Sequence, residues 1–217
     1  MQGFANSDIV RRTQKAKKIE HLVGGVDGLD LLDLGAGSGF LSSYFATQGA
    51  KVIAADRDKA AFAADCPFVQ IEGRLPFNKG SFDLVVFNHV IEHVGGIDEQ
   101  RQILSEIAHI LRPGGRLYLA APTKWALIEP HYRIPLLGAM PRSVADAIVR
   151  VAGKGDIYDC FPLKASAMQQ LANEHFREVR DVSCEAFRWM ARHENKALRF
   201  IPAIPVVFPT RIFIATK

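Results

Sequence analysis

One stretch, residues 29–56, constrains the fold of this chain more than any other part of the sequence. It opens with a nearly continuous apolar run, which is typical of a parallel strand buried on both faces. Three glycines follow at once, Gly35, Gly37 and Gly39, then a segment of helical spacing and a second apolar strand that ends at Asp56. This order predicts a βαβ unit with a ligand crevice at the carboxyl ends of its strands.

The spacing of the glycines limits which ligand this crevice can hold. A dinucleotide-binding turn reads G-x-G-x-x-G, so that a helix N-terminus meets a pyrophosphate. Counted from Gly35, the third glycine of that pattern falls on Phe40, and the chain reads G-x-G-x-G instead. The acidic Asp56 is suited to accept hydrogen bonds from both hydroxyls of a ribose. The turn alone leaves several Rossmann-like families open.

Composition narrows the class of protein. The 217 residues suit one domain with an insertion, and 48% apolar with 23% charged residues is ordinary for a globular chain. No apolar run has the length of a membrane span, and no signal-peptide pattern opens the chain, so we expect a cytoplasmic protein. Cys66, Cys160 and Cys184 are odd in number and far apart, which favours neither a disulfide framework nor a zinc site.

The net charge of +4 is mild, and the one dense basic run lies on a predicted helix over 8–23. We interpret that run as a solvated helix face rather than a nucleic-acid contact, and no nucleic-acid partner is expected.

Three downstream motifs narrow the choice of family. Residues 75–77 read Leu-Pro-Phe and are followed by Ser-Phe-Asp at 81–83, the next strand ends at Asn88-His89, and a Leu-Arg-Pro-Gly-Gly turn covers 111–115. With the glycine turn, these motifs resemble class I S-adenosylmethionine-dependent methyltransferases. The type-11 and quinone-biosynthesis-like methyltransferases look most similar, and the resemblance covers about 29–217.

The resemblance implies an α/β fold: a Rossmann-like, doubly wound sheet of seven strands, mostly parallel with an antiparallel last strand. We expect a single domain over 1–217. Local patterns predict a short helix over 57–65, a third strand over 68–72 and a fifth strand over 116–121.

Two segments fall outside the common core of that fold. The insertion at about 122–163 leaves the carboxyl end of the fifth strand, so we interpret it as a lid that builds the acceptor pocket. The insertion at about 185–209 is unusually apolar. Packing against the lid or in a homodimer is favoured for it, and a site for a lipid-like acceptor or a membrane surface is the alternative.

The resemblance also implies S-adenosyl-L-methionine as cofactor. Asp56 would bind the ribose, Asp33 the methionine ammonium, and Arg11 or Arg12 the methionine carboxylate. Ile71 occupies the position of the family's adenine-binding aspartate, so either Glu72 substitutes or the backbone alone binds the adenine. The predicted cofactor residues are Asp33, Gly35, Ala36, Gly37, Gly39, Asp56, Arg57, Ile71, Glu72, Asn88 and His89.

The expected reaction is an in-line displacement that transfers the methyl group to a small, fairly apolar acceptor, with oxygen favoured. A base is needed only for an acceptor that arrives protonated, and His93 and His131, with His89, are the candidates. A nicotinamide-dependent oxidoreductase is opposed by Phe40 and by the 75–77 turn. A non-catalytic protein that binds the same cofactor remains a second interpretation.

Overall fold

The computed structural model describes residues 2–200, 203 and 208–217. Seven strands form one sheet in the order β3-β2-β1-β4-β5-β7-β6. The strands are β1 Asp30–Leu34, β2 Lys51–Asp56, β3 Phe68–Gln70, β4 Phe82–Asn88, β5 Leu111–Pro122, β6 Glu178–Asp181 and β7 Thr210–Thr216. β7 runs antiparallel to both β5 and β6, while all the other pairs are parallel. The predicted fold class is confirmed.

Six α-helices accompany the sheet in the described part of the chain. They are α1 Gln2–Val23, α2 Phe40–Thr47, α3 Ile97–Ile110, α4 Arg142–Val151, α5 Ala165–Asn173 and α6 Ser183–His193. Successive residues of β4 face opposite sides of the sheet, as strand geometry requires. Val85 and Phe87 pack towards α3 and α5, and Leu84 and Val86 pack in the cluster that includes α1 and α6. Helices therefore cover both faces of the sheet, which leaves the carboxyl ends of the strands as the open edge.

The helix predicted over 57–65 is wrong. Residues 57–67 form turns and irregular structure, because the Ala63 amide, which in a helix would donate to the Lys59 carbonyl, donates to the Ser38 carbonyl at 3.2 Å. Asp56 accepts a hydrogen bond from the amide of Arg57 at 2.6 Å, and Asp58 accepts one from the amide of Ala60 at 2.8 Å. The loop instead turns back towards the glycine turn, where Phe62 closes over Gly39.

The limits of two strands also differ from the sequence prediction. β3 ends at Gln70 rather than at 72, although the Ile71 amide still donates to the Asp56 carbonyl at 2.8 Å. β5 begins at Leu111 rather than at 116, because Leu111 already pairs with Phe82 before the register shifts. The glycine-containing turn is thus part of an irregular strand.

The 122–163 insertion has a small core of its own. α4 and a 3-10 turn at Leu137–Ala139 bury a cluster of Leu137, Ala145, Val149, Tyr158 and Cys160. The second insertion, at 185–209, holds most of α6 and a 3-10 turn at Lys196–Phe200. Residues 201, 202 and 204–207 of its apolar stretch lie outside the described residues.

Candidate cofactor and acceptor site

The glycine turn brings β1 against the end of β4. Gly35 has a φ of +80°, and a Cβ atom built on it would lie 2.2 Å from Cγ2 of Val90. Only glycine combines this backbone conformation with so close a neighbour. Because the two strand ends meet here, a ligand at the open edge contacts both.

Asp56 is held at the end of β2 by backbone donors. Its carboxylate accepts hydrogen bonds from the amides of Gly37 at 2.7 Å and Arg57 at 2.6 Å. A carboxylate has about four lone-pair sites, so acceptor capacity remains for a ligand hydroxyl. The contact to Gly37 also fixes the middle of the glycine turn relative to β2.

Two cavities lie at the open edge and share Gly35. The first, of about 300 Å³, includes Asp56, Arg57, Ile71 and His89 in its lining. The second, of about 490 Å³, includes Asp33, Ala36, Asn88, Arg12 and Lys15. Most of the predicted cofactor residues are thus brought together along one crevice.

Three of the predicted cofactor residues, Gly37, Gly39 and Glu72, line neither of these two cavities. Gly39 is covered by the side chains of Phe62 and Ala64, and Gly37 has open space where its Cβ would be. Glu72 is exposed and lines neither cavity, whereas its neighbour Ile71 lines the first.

Asp33 is almost fully buried, at 2% exposure, and accepts a hydrogen bond from the hydroxyl of Ser42 at 2.6 Å. Burial raises the pKa of Asp33 to about 6, although the hydrogen bond from Ser42 acts in the opposite direction. Arg12 is paired with Asp8 at 2.9 Å and also donates to the hydroxyl of Ser38 at 3.2 Å. This arginine therefore already faces the glycine turn.

The predicted histidines meet around a buried glutamate. Glu92 is 1% exposed, and its Oε1 lies 2.9 Å from Nε2 of His131 and 3.5 Å from Nδ1 of His89. The ring of His93 lies 4.8 Å from that of His131, and its Nδ1 lies 3.3 Å from the Asp159 carboxylate. Two of the histidines follow β4, and the third comes from the 122–163 insertion.

The electrostatics of this cluster differ from residue to residue. Burial would raise the pKa of Glu92, but the hydrogen bonds from His131 and His89 outweigh it and hold that pKa at about 2. Burial lowers the pKa of His89 and so favours the neutral ring, whereas the contact with Glu92 raises the pKa of His131. His89 also has a φ of +58°, a conformation that is uncommon outside glycine and occurs at functional sites.

Metal-ligand side chains occur in this cluster, which the spacing of the cysteines did not suggest. Ligand atoms of His93, His131 and Cys160 lie within 4.8 Å of one another. The Cys160 sulfur is 3.8 Å from Nδ1 and 4.0 Å from Nε2 of His93. A sulfur so nearly equidistant from both nitrogens lies along the lone pair of neither, so the thiol and this ring are not aligned on a common ion.

A third cavity, of about 530 Å³, adjoins the crevice at Asn88 and His89. It lies between the sheet, α1 and α6, with a mostly apolar lining that includes Tyr118, Phe187, Met190, Leu198, Phe208 and Ile212. Lys15 and Lys18 of α1 also line it. The insertion at 122–163 reaches the crevice through His131, whereas this cavity has walls from α1, α6 and β7.

Sequence reasoning missed several residues of this site. The sequence patterns assign no role to Glu92 or Ser42, and they place Lys18 only in the basic run of the predicted helix over 8–23. A glutamate between two histidines at the end of a buried strand was the available signal for Glu92. Nothing local to Lys18 indicated that it borders a cavity.

No helix in the described ranges has the length and apolar character needed to cross a bilayer.

Comparison with known proteins agrees with this geometry. Residues 32–119 match the family model described as a methyltransferase domain. The ubiquinone biosynthesis O-methyltransferase of Xylella fastidiosa is 28% identical over 182 residues, covering 77% of this chain and 69% of that protein. The biotin biosynthesis bifunctional protein BioHC of Cellvibrio japonicus is 33% identical over 129 residues, covering 55% of this chain. The chain spans 25% of that longer relative.

A solved structure shows the same fold. The S-adenosylmethionine-dependent methyltransferase of Mesorhizobium loti aligns with a TM-score of 0.61 at 15% identity, covering 88% of this chain and 92% of that one. Residues 32–119 therefore match a methyltransferase domain, and the sheet that they help to build has the fold of that Mesorhizobium loti enzyme.

Proposed function

We propose that this protein transfers the methyl group of S-adenosylmethionine to an oxygen atom of a small, largely apolar acceptor. One observation carries the proposal: the crevice that contains Asp56 and Gly35 shares His89 and Asn88 with an adjoining apolar cavity. Cofactor and acceptor bound in these spaces would meet at the end of β4. In-line displacement at the sulfonium then requires alignment in a site from which water is excluded.

We assign the adenosine to the cavity that Asp56 and Ile71 line, with the ribose hydroxyls on the carboxylate of Asp56. The methionine part would occupy the cavity on the other side of Gly35. Asp33 and Arg12 both line that cavity, so we assign the ammonium to Asp33 and the carboxylate to Arg12. Since Glu72 lies outside both cavities, we assign the adenine to Ile71 and to backbone groups.

An oxygen acceptor is supported by the histidine cluster and by the name of the Xylella relative, an O-methyltransferase. His89 borders both the crevice and the apolar cavity, and its neutral ring can accept a proton or hold an acceptor oxygen. Glu92 orients that ring and the ring of His131. Transfer forms an oxygen–carbon bond, breaks the carbon–sulfur bond and leaves the electron pair on a neutral thioether.

The first test measures binding of S-adenosylhomocysteine by calorimetry. Asp56→Ala is expected to lower the affinity by roughly ten- to a hundredfold, since it removes charge-assisted hydrogen bonds of about 1.5–3 kcal/mol. Asp58→Ala is the matched control, because Asp58 is exposed and bonds the Ala60 amide. Binding of NADH in place of S-adenosylhomocysteine would contradict the proposal.

The second test follows a labelled methyl group from S-adenosylmethionine to phenols, quinols and apolar carboxylic acids, with mass spectrometry to locate it. Methylation at oxygen supports the proposal, and methylation at carbon or nitrogen contradicts the acceptor atom. Tight cofactor binding without any methyl transfer would favour a non-catalytic binding protein.

A further inference from the structure

The two lysines of the apolar cavity are not explained by cofactor binding alone. Lys15 and Lys18 lie three positions apart on α1 and so share one face of the helix. Arg11 and Arg12, one turn earlier, are both paired with Asp8. Within the described residues, neither lysine forms an ion pair within 4.0 Å, so no salt bridge neutralises the positive charge that the two lysines bring to an apolar space.

Lys18 is held against the cavity wall. Its Nζ atom lies 3.6 Å from the sulfur of Met190, and its side chain is half-buried. Burial lowers the pKa of Lys18 below its ordinary value, while Glu194 acts in the opposite direction. Desolvating a cation is costly unless an anion joins it, so this position favours a negatively charged ligand.

The charged end of the cavity is also its reactive end. Lys15 borders both the methionine side of the crevice and the apolar cavity, and Asn88 does the same. Phe187 and Phe208, whose rings stack at 5.1 Å between centroids, form part of the apolar wall. A ligand with one acidic group and an apolar body would therefore place its acid oxygens at the crevice.

We propose that the methyl acceptor is an apolar monocarboxylate, bound with its carboxylate between Lys15 and Lys18 and its hydrocarbon part against α6 and β7. This inference rests on the proposed function and specifies the substrate class of the same site. A carboxylic acid is ionised at neutral pH, so no base is needed. One carboxylate oxygen forms the bond to the methyl carbon, the carbon–sulfur pair stays on sulfur, and anion and sulfonium become a neutral ester and thioether.

Esterification removes the charge that the lysines bind. The substrate and the product therefore differ most in their interaction with Lys15 and Lys18, and the neutral ester is held only by the apolar wall. The volume of about 530 Å³ lies within the range of small-molecule sites, which fits a medium-length hydrocarbon chain.

The test uses decanoate as probe, with methyl decanoate as the neutral counterpart, both titrated into the protein saturated with S-adenosylhomocysteine. Decanoate is expected to bind at least about tenfold more tightly than its ester. Lys18→Gln is expected to weaken decanoate binding by about tenfold and to leave ester binding unchanged. Lys17→Gln is the matched control, since Lys17 is exposed on the same helix and lines none of these cavities.

A second variant tests the hydrocarbon part without changing charge. Leu198→Trp adds bulk to the apolar lining of the cavity and is expected to weaken binding of both decanoate and its ester. Equal affinity for the two probes, or no effect of Lys18→Gln and Lys15→Gln, would overturn the inference.

The two proposals fail in different ways. Loss of S-adenosylhomocysteine binding, measured separately for each variant, would count against the cofactor site and not against the charge preference. Methyl transfer to a neutral phenol, together with no binding of decanoate, would leave the proposed function intact and reject the carboxylate acceptor. Formation of labelled methyl decanoate from S-adenosylmethionine would support both.

Discussion

Glu92 Oε1 lies 2.9 Å from His131 Nε2, and this contact joins the end of β4 to the 122–163 insertion. A second contact strengthens the connection, since the Phe161 amide donates to the Glu92 carbonyl at 2.7 Å. One buried glutamate therefore positions both the histidine of the crevice and the histidine of the insertion. We expect the packing of the insertion against the end of β4 to depend on the charge of His131.

The Glu92–His131 contact predicts a pH-dependent stability. The pKa of His131 is raised above its ordinary 6.5, so its stabilising contribution is complete below that pH and is lost as pH rises through the folded-state pKa. His131→Gln should therefore cost about 1–2 kcal/mol near pH 6 and less near pH 8.5, measured by thermal unfolding.

His109→Gln serves as the control, because His109 is exposed on α3. This variant should leave the free energy of unfolding unchanged at both pH values. An equal loss of unfolding free energy for His131→Gln at both pH values would show that the charge of His131 does not contribute to stability.

Asp33 predicts that cofactor affinity depends on pH. Its pKa of about 6 means that the carboxylate is protonated in more acidic solution, and an ammonium group binds only the ionised form. The association constant for S-adenosylhomocysteine should fall up to about tenfold per pH unit below about pH 6.

Asp33→Asn should remove this dependence and bind about ten- to a hundredfold more weakly near pH 7.5. Asp30→Asn, at the other end of β1 and paired with Arg112 at 2.8 Å, should keep the wild-type profile. A flat wild-type affinity between about pH 5 and 7 would reject the role of Asp33.

Gly35 predicts a steric effect that Gly37 lacks. Gly35→Ala introduces both an unfavourable positive φ and a contact with Val90, and should lower the free energy of unfolding by about 2–5 kcal/mol in urea. Gly37→Ala meets open space at a φ of +52° and should cost only about 1–2 kcal/mol. Adding Val90→Ala to Gly35→Ala should relieve part of the clash and restore part of the lost stability. Equal losses of stability in Gly35→Ala and Gly37→Ala would argue against a steric effect of Val90.

Arg142 predicts the local stability of the insertion. Its guanidinium donates to the Cys160 carbonyl at 2.6 Å and to the Tyr158 carbonyl, and lies 4.1 Å from the centre of the Phe161 ring. Arg142→Lys loses the planar guanidinium and its stacking on the Phe161 ring. The backbone amides of residues 158–161 should therefore exchange hydrogen faster, because the free energy of local opening falls by about 1–3 kcal/mol.

Arg150→Lys, on the same helix with one contact to the Asp156 carbonyl at 3.2 Å, should change exchange little. Unchanged protection at 158–161 in Arg142→Lys would mean that other contacts hold this segment.

The sequence alone was informative wherever a short pattern decides the local structure. The apolar runs identified the parallel strands, and the G-x-G-x-G turn with Asp56 located the crevice, because strand burial and glycine conformation depend on few neighbouring residues. The motifs at 75–77, 88–89 and 111–115 were enough to indicate the methyltransferase domain that the family model confirms at residues 32–119.

Local pattern predicts the wrong structure where a distant segment takes the backbone donors. The 57–65 segment has helix-forming composition, but its Ala63 amide donates to the Ser38 carbonyl of the glycine turn and the segment stays in turns. Propensity does not record such a contact, because it forms only when the segment packs against the glycine turn.

Only the tertiary structure decided how distant segments combine. Glu92 and His131 are 39 positions apart, and the wall of the apolar cavity joins Lys18 to Met190 across 172 positions. No local pattern relates residues so far apart, since their contact results from how helices and loops pack on the sheet. The sequence determined where the cofactor crevice begins, and the packing of α1, α6 and β7 decided which charges and which apolar wall adjoin it.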